Sequence, residues 1–230
     1  MTKARAAVSW SGGKDCALAL HRARARFDIV GLLTVFTADG SRTRSHGLRP
    51  EVIRAQAEAL DLPLLTTDAA WSSYEARFER LLNGAKHDWH IDHVIFGDVF
   101  PDAHKRWTEG ICGRAGLAAF EPLWGESTAA LSEEFIAGGG RAKIVAARED
   151  RLGEAWLGRE IDHETLDALR GLGVDPGGEN GEFHTVVTHF PDGGEIALHK
   201  LGTRAHGGCR LLDLTLAHPS ERSSLPSAES

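Results

Sequence analysis

Short apolar runs alternate with longer amphipathic stretches through the first half of this 230-residue chain, and this alternation constrains its fold most. Helical apolar spacing covers residues 15–26, 51–60, 74–86 and 104–115, whereas the short runs predict strands at residues 6–10, 29–36, 62–66, 93–97 and 118–121. Strands that alternate with helices of about ten to thirteen residues are typical of βαβ units. The sequence therefore predicts an α/β fold with a doubly wound parallel sheet and helices on both faces.

The pattern changes after Trp124, where the regular alternation ends. A helix is predicted near residues 131–136, a strand at 142–147, a helix with Asp162 as its N-cap, and a last strand near residues 209–216. Residues 183–190 and 195–200 flank Pro-Asp-Gly-Gly and predict a hairpin. We therefore expect an N-terminal unit of residues 1–130, a smaller C-terminal α+β unit of residues 131–216 and a disordered tail at residues 217–230.

Composition and charge exclude several classes of protein. Acidic residues outnumber basic ones by 33 to 26, which argues against a dedicated nucleic-acid binder because phosphate neutralisation needs clustered lysine and arginine. Three widely separated cysteines do not predict a disulfide framework, and the twelve histidines form no recognisable zinc pattern. No apolar stretch is long enough for a membrane span or a signal peptide, so we expect a soluble, cytoplasmic protein.

The most distinctive local motif is Ser-Gly-Gly-Lys-Asp-Cys at residues 11–16, between the first predicted strand and helix. Glycines let the backbone approach a ligand, and free amides at a helix start attract anions. Lys14, one of only six lysines, adds a positive charge there. Both the Walker and the GxGxxG patterns are absent, so the motif predicts another kind of phosphate-binding loop, with a simple strand–helix turn as the alternative. The helix start predicts a lowered pKa for Cys16.

Two strings carry a resemblance to a known family. SGGKD after a first strand resembles the PP-loop of the ATP pyrophosphatases, which have the adenine nucleotide alpha-hydrolase fold, and GGENGEFHT at residues 177–185 resembles the second signature of the diphthine–ammonia ligase family. Segments similar to the family's own lie between them in the same order, at Gly97-Asp98, Glu109-Gly110 and Pro122-Leu123-Trp124. The resemblance covers roughly residues 6–200.

The resemblance implies an ATP-dependent ligase that adenylates a carboxylate and aminates it with ammonium, releasing AMP and pyrophosphate. ATP and Mg²⁺ are the implied cofactors, with Asp15 as the metal ligand, and the acceptor in that family is the diphthine residue of elongation factor 2. The implied catalytic residues are Lys14, Asp15, Glu179 and Glu182. ATP is expected to contact Ser9, Ser11, Gly12, Gly13, Lys14, Asp15, Cys16, Thr34, Val35, Phe36, His46, Gly97 and Asp98. The acceptor is expected to contact Arg44, His104, Arg106, Glu109, Glu179, Asn180, Gly181, Glu182, His184 and Thr185.

The chain departs from the family's commonest pattern at three positions and in one segment. Cys16 replaces a serine, the second signature has Asn180 for a glycine and His184 for a glutamate, and the segment His104-Lys105-Arg106 differs from the family's basic pattern. Together these differences indicate a bacterial-type relative. Two other functions stay open: a PP-loop ATP pyrophosphatase acting on RNA or a small molecule, and a nonenzymatic adenine-nucleotide sensor. A homo-oligomer is compatible with the sequence.

Glu179 and Glu182 form a pair of carboxylates in a glycine-rich frame. Such a loop can present both acids to Mg²⁺, to an amine or to an attacking ammonia, while a polar surface turn is the alternative. Asp98 follows a buried apolar run, at the position where doubly wound sheets bind their ligands. Arg44 lies in a loop that could close over phosphates.

Overall fold

The computed structural model describes residues 2–217, which form two sheets with flanking helices. The first sheet is parallel throughout and has the strand order β3-β2-β1-β4-β5, which confirms the doubly wound arrangement. Its strands are β1 (Arg5–Ser9), β2 (Asp28–Thr37), β3 (Leu64–Ala69), β4 (His93–Ile95) and β5 (Ala118–Phe120).

Helices cover both faces of this sheet because successive side chains of its strands alternate between them. Ala6 and Val8 of β1 belong to one buried cluster and Ala7 to the other. The first cluster includes the apolar faces of α1 (Lys14–Arg24) and α2 (Pro50–Ala59), and the second those of α3 (Tyr74–Trp89) and α4 (Asp102–Arg114). The predicted helices are thus confirmed, with ends that differ by a few residues.

The second sheet is antiparallel, has the strand order β7-β6-β9-β8 and follows α5 (Thr128–Ala137) in the chain. It consists of β6 (Arg141–Arg148), β7 (Phe183–His189), β8 (Leu198–His206) and β9 (Cys209–Leu216). Helix α6 (His163–Gly171) connects β6 to β7, and the Asp162 side chain accepts a hydrogen bond from the Thr165 N–H at 2.8 Å. The predicted N-cap is therefore confirmed.

The predicted hairpin of residues 183–190 and 195–200 is wrong. The turn exists, and a single bridge joins His189 to Glu195, but β7 lies beside β6 and β8 lies at the opposite edge of the sheet. The actual hairpin joins β8 to β9 through Gly207 and Gly208, which have the positive φ angles that such a tight turn needs. Except for Ala217, the predicted disordered tail lies outside the described residues.

Buried hydrogen bonds attach the second sheet to the loop after β1. The fully buried Gln56 of α2 donates from Nε2 to the carbonyl oxygens of Gly12 and Val187, and its Oε1 accepts from the Trp10 indole at 2.9 Å. The Val187 N–H also donates to the Gly12 oxygen at 2.9 Å. The glycine loop is therefore fixed by both halves of the chain. Within residues 2–217, no helix combines the length and apolar character required to cross a membrane.

Candidate active site

A cavity of about 790 Å³ lies at the carboxyl ends of β1 and β4 and is lined by residues from both halves of the chain. A smaller cavity of about 130 Å³ adjoins it, and the two share Ser9, Ser11 and His46 in their walls. Thr34 and Val35 of β2 line only the smaller one. The carboxyl end of a parallel sheet is where doubly wound folds bind ligands. The location agrees with the predicted placement of Asp98, which lines the larger cavity.

The loop between β1 and α1 requires glycine at two successive positions. Gly12 has a φ of +86°, and a Cβ there would lie 2.7–2.9 Å from the side chains of Leu48, Gln56 and Ile53. A Cβ on Gly13 would lie 2.4 Å from Cε1 of His46. Helix α1 begins directly afterwards, and its first three residues, Lys14, Asp15 and Cys16, line the cavity, so the positive end of the helix dipole lies beside it. This geometry suits an anionic ligand.

Lys14 is buried at the floor of the cavity, with only 3% of its surface exposed. Its Nζ donates to the Gly177 carbonyl oxygen at 2.6 Å and to Asp15 Oδ1 at 2.7 Å, and lies 3.9 Å from Glu179 Oε1. Burial lowers the pKa of Lys14, but the neighbouring carboxylates, Asp15 first, outweigh it and leave the pKa above its usual value. Lys14 is therefore a permanent cation surrounded by oxygen atoms.

Glu179 lines the cavity beside Lys14, and its side chain is 18% exposed. Burial raises the pKa of this carboxyl, and the negative charges of Asp15, Asp175 and Asp98 raise it further, against the opposing effect of Lys14. An anionic ligand on Lys14 would bring more negative charge to the same place. A cation between Glu179 and that ligand would relieve the repulsion.

Glu182 does not line the cavity, although the sequence pairs it with Glu179. The residue is 3% exposed, and its carboxylate accepts hydrogen bonds from the Asn180 backbone N–H at 3.1 Å and the Asn180 Nδ2 at 3.3 Å. The two glutamates thus face different surroundings. Glu182 holds the turn that presents Glu179.

Two histidines close one side of the cavity. His46 donates from Nδ1 to the Thr185 carbonyl oxygen at 2.7 Å, and its ring lies 4.8 Å from that of His184. Burial lowers the pKa of both imidazoles, that of His184 to about 3. Both rings are therefore neutral at physiological pH and add no charge to the site. The hydroxyl of Thr185 accepts a hydrogen bond from the Lys14 backbone N–H at 3.1 Å.

A histidine–aspartate pair lies in the wall at the end of β4. His104 Nδ1 and Asp98 Oδ1 are 3.0 Å apart, and both residues line the cavity. The hydrogen bond to Asp98 raises the pKa of His104, against a smaller opposing effect of burial. The His104 side chain is 65% exposed, so it meets solvent as well as the cavity.

Most of the residues predicted from the sequence come together around the two cavities. Those that line the larger cavity are Ser9, Ser11, Lys14, Asp15, Cys16, Arg44, His46, Gly97, Asp98, His104, Glu179, Gly181, His184 and Thr185. The predicted residues that line neither cavity are Gly12, Gly13, Phe36, Arg106, Glu109, Asn180 and Glu182. Gly12 and Gly13 still shape the loop between β1 and α1.

Sequence reasoning missed an aromatic wall of the larger cavity. Its members are Trp71, Tyr74, Phe78, Phe96, Phe100 and Trp107. The Arg44 guanidinium lies over the rings of Trp71 and Tyr74, at 4.4 and 5.3 Å from their centroids. The apolar spacing of α3 predicted burial for Phe78 but did not indicate that this face borders a ligand cavity.

The expectation of a lowered pKa for Cys16 is wrong. Burial raises the pKa of this thiol, more than its hydrogen bonds with Ser11 and Gly12 lower it. The Sγ donates to the Gly13 carbonyl oxygen at 3.1 Å, so it stabilises the loop as a neutral thiol. Within residues 2–217, no three His, Cys, Asp or Glu side chains are grouped so that they could hold a metal ion by themselves.

Comparisons with known proteins support one family. The model of the diphthamide synthase N-terminal domain matches residues 4–119, and that of the diphthamide synthase C-terminal domain matches residues 127–192. A diphthine–ammonia ligase of Danio rerio is 26% identical over 207 residues, which cover 79% of this chain and 80% of the relative.

Two solved structures resemble the chain more distantly. A predicted subunit of tRNA methyltransferase from Methanocaldococcus jannaschii has a TM-score of 0.41 and 15% identity, over 80% of this chain and 96% of that one. A U34-tRNA thiolase, NcsA, from Methanococcus maripaludis with its 4Fe–4S cluster has a TM-score of 0.40 and 14% identity, over 59% of this chain and 57% of that one.

Proposed function

Because this chain belongs to the diphthamide synthase family, we propose that it is an ATP-dependent ligase that adenylates a carboxylate and converts it to an amide with ammonium. The observation that carries the proposal is the environment of Lys14. This buried cation lies at a glycine-rich helix start and contacts residues of both halves of the chain. Family membership supports the reaction class. The first acceptor to test is the diphthine residue of elongation factor 2, which is the acceptor in the resembled ligase family.

ATP fits the two adjoining cavities with its phosphates at the α1 end. The start of α1 and the Lys14 ammonium would meet the phosphates, since both attract negative charge. The adenosine would occupy the smaller cavity beside Thr34 and Val35. His46 separates the two regions and carries no charge at neutral pH, so it would not compete with Lys14 for the phosphates.

Asp15 is the residue best placed to help hold Mg²⁺ with the triphosphate. Its carboxylate lines the cavity and is 28% exposed. Mg²⁺ is usually held by one or two carboxylates together with substrate phosphates and water, so the lack of a cluster of three ligands is no obstacle. When bound, the ion neutralises charge on the phosphates.

The first step transfers AMP to the acceptor. A carboxylate oxygen of the acceptor forms a bond to the α-phosphorus, the bond between that phosphorus and the bridging oxygen to the β-phosphate breaks, and pyrophosphate leaves with the electron pair. Lys14 and the loop amides stabilise the negative charge that develops on the leaving group. The acceptor would approach from the aromatic wall, across the cavity from the glycine loop.

Glu179 is suited to hold the ammonium ion for the second step. Its carboxyl group lies 3.9 Å from the Lys14 ammonium, where the phosphates would bind, and a cation between them would offset the repulsion. Ammonia then attacks the acyl carbon of the adenylate, and the bond from that carbon to the AMP oxygen breaks. Glu182 contributes by holding the loop of Glu179 rather than by contact with the acceptor.

The decisive experiment follows the nucleotide products. The protein is incubated with α-labelled ATP, Mg²⁺, ammonium chloride and elongation factor 2 that carries diphthine, and the products are separated by thin-layer chromatography. We expect AMP that depends on the acceptor, together with amide detected by mass spectrometry. ADP as the main product would contradict the proposal. AMP without amide would favour adenylation of another acceptor, such as an RNA or a small molecule.

A further inference from the structure

We propose that His104, oriented by Asp98, is the catalytic base that removes a proton from ammonium before it attacks the adenylate. The inference rests on the proposed function and adds to it a residue with a defined task. Ammonium has no free electron pair, so the reaction needs a group that accepts its proton. The cavity wall contains one imidazole that is suited to this task.

The pair has the geometry of an oriented base. Asp98 follows β4, whereas His104 lies in the first turns of α4, and their side chains meet at 3.0 Å between Oδ1 and Nδ1. A carboxylate accepts only, so Nδ1 carries the proton and Nε2 keeps its lone pair. Both residues line the cavity. The arrangement therefore leaves one nitrogen of His104 able to accept a proton.

The other candidate bases are less suitable. His46 and His184 are buried, and burial lowers the pKa of both, that of His184 to about 3, so they accept protons poorly. Burial and neighbouring carboxylates raise the pKa of Glu179 as well, but its side chain is only 18% exposed, against 65% for His104, so it passes protons to solvent less easily. Glu182 does not reach the cavity. Among the cavity-lining residues of the described structure, His104 alone is a histidine with a raised pKa.

The charges around His104 favour a base at neutral pH. Asp98 faces it directly, Glu121 after β5 adds a second negative charge, and both raise its pKa. Lys105, at 3.9 Å from Glu121, offsets part of that charge. A base close in pKa to the working pH transfers protons efficiently. Glu179 lines the same cavity as Asp98 and His104, so ammonium held by Glu179 would share that cavity with the pair.

The reaction releases two protons from the nitrogen, and the exposed His104 can pass both to water. Ammonium gives one proton to Nε2, and the resulting ammonia forms the C–N bond while AMP leaves with the electron pair of the broken C–O bond. The nitrogen must lose a second proton to become the neutral amide. A side chain that is 65% exposed can return each proton to water and be ready for the next. The buried Glu179 could not exchange protons with solvent as easily.

The test compares two nucleophiles in the His104→Ala variant. Hydroxylamine is unprotonated at neutral pH and needs no base for its first step, whereas ammonium does. With diphthine-bearing elongation factor 2 and ATP, we expect amide formation to fall by roughly 10²-fold or more, while hydroxamate formation and acceptor-dependent AMP release with hydroxylamine stay within about threefold of wild type. His87→Ala is the matched control, because His87 also pairs with an aspartate, at 2.8 Å, but lies outside the cavity.

A second variant separates proton transfer from a structural role. Asp98→Asn removes the charge that raises the pKa of His104, so the acidic limb of the curve of amidation rate against pH should move to lower pH. The pH dependence of the hydroxylamine reaction should stay the same. Equal losses with both nucleophiles, or normal amidation by His104→Ala, would overturn the inference while leaving the ligase intact. A wild-type protein that forms neither AMP nor amide would instead refute the proposed function, and the inference with it.

Discussion

The Nζ of Lys14 donates a hydrogen bond to the Gly177 carbonyl oxygen at 2.6 Å, although 163 positions separate the two residues. The lysine is the first residue of α1, directly after the glycine loop, and the glycine belongs to the turn that precedes β7. The bond therefore joins the expected phosphate site to the loop that carries Glu179. Movement of either loop would change the position of the cation, so binding of the nucleotide and placement of Glu179 are physically connected.

Replacement of Lys14 by alanine should abolish most of the adenylation. The substitution removes the only buried lysine among residues 2–217. The departing pyrophosphate would then lack the Lys14 ammonium that offsets its charge. By comparison with the loss of a single oxyanion-stabilising donor, we expect turnover to fall by roughly 10²-fold or more. The rate of AMP release measures the effect. Lys3→Ala, which alters an exposed lysine, should retain wild-type turnover, and a similar rate in Lys14→Ala would contradict the assigned role.

Replacement of Glu179 by glutamine should separate nucleotide binding from amidation. The change removes the negative charge that this carboxyl carries above its raised pKa of about 8, so ATP affinity should stay the same at pH 7 and rise by a few-fold above pH 8 at low ionic strength. Amidation should fall, with a higher KM for ammonium, because the amide no longer attracts a cation. Titration calorimetry with a non-hydrolysable ATP analogue and an ammonium titration measure the two effects. Loss of ATP affinity without loss of amidation per bound ATP would place Glu179 in the nucleotide site instead.

Replacement of Glu182 by glutamine should weaken the loop rather than the chemistry. The Glu182 carboxylate accepts from the Asn180 N–H groups, and an amide can match only part of that pattern. We expect a loss of about 1–2 kcal/mol in the free energy of unfolding. Urea unfolding measures this loss. If stability is unchanged and amidation alone disappears, Glu182 acts in the reaction, as the sequence pattern first indicated.

The first sheet could be predicted from the sequence because its pattern is local. Each buried strand of the parallel sheet is a short apolar run, and each helix has its own apolar spacing, so the βαβ order follows from neighbouring residues. The Asp162 cap was predictable for the same reason, since the side chain bonds to an amide only three positions later. The predicted phosphate-binding loop could be located from two glycines that follow a strand.

The features that the sequence did not reveal depend on distant contacts. The turn after β7 looks like a hairpin, yet β7 pairs with β6 and with the Gly12 loop, which no local pattern records. Glu179 and Glu182 differ because one faces Lys14 and the other the Asn180 amide. Cys16 was expected to respond to the helix start, but burial by distant side chains determines its pKa.

Asp213 of β9 should stabilise the contact between the two halves of the chain in a pH-dependent way. Its carboxylate accepts from Arg49 at 2.9 and 2.8 Å and from Arg42 at 2.5 Å, and both arginines belong to the segment between β2 and α2. The hydrogen bonds with Arg49 and Arg42 hold the pKa of Asp213 well below its usual value. The charged form therefore favours the folded state.

The sign of the pH dependence follows from this lowered pKa. A carboxyl whose pKa is lower in the folded than in the unfolded state contributes its stability above the unfolded value of about 3.9, and loses it as the pH falls through the folded value. Asp213→Asn should therefore lower the free energy of unfolding by about 2 kcal/mol at pH 7, where two arginines lose their shared partner. The difference between variant and wild type should shrink as the pH falls below about 4.

Urea unfolding of both proteins at pH 7 and pH 3 measures these differences. Asp150→Asn is the matched control, because Asp150 pairs with Arg148 on the surface and is 60% exposed, so this variant should be nearly as stable as wild type at both pH values. An Asp213→Asn variant as stable as wild type at pH 7 would show that solvent screens these ion pairs despite their burial. A difference that stays constant between pH 7 and pH 3 would show that the lost stability comes from packing rather than from the carboxylate charge.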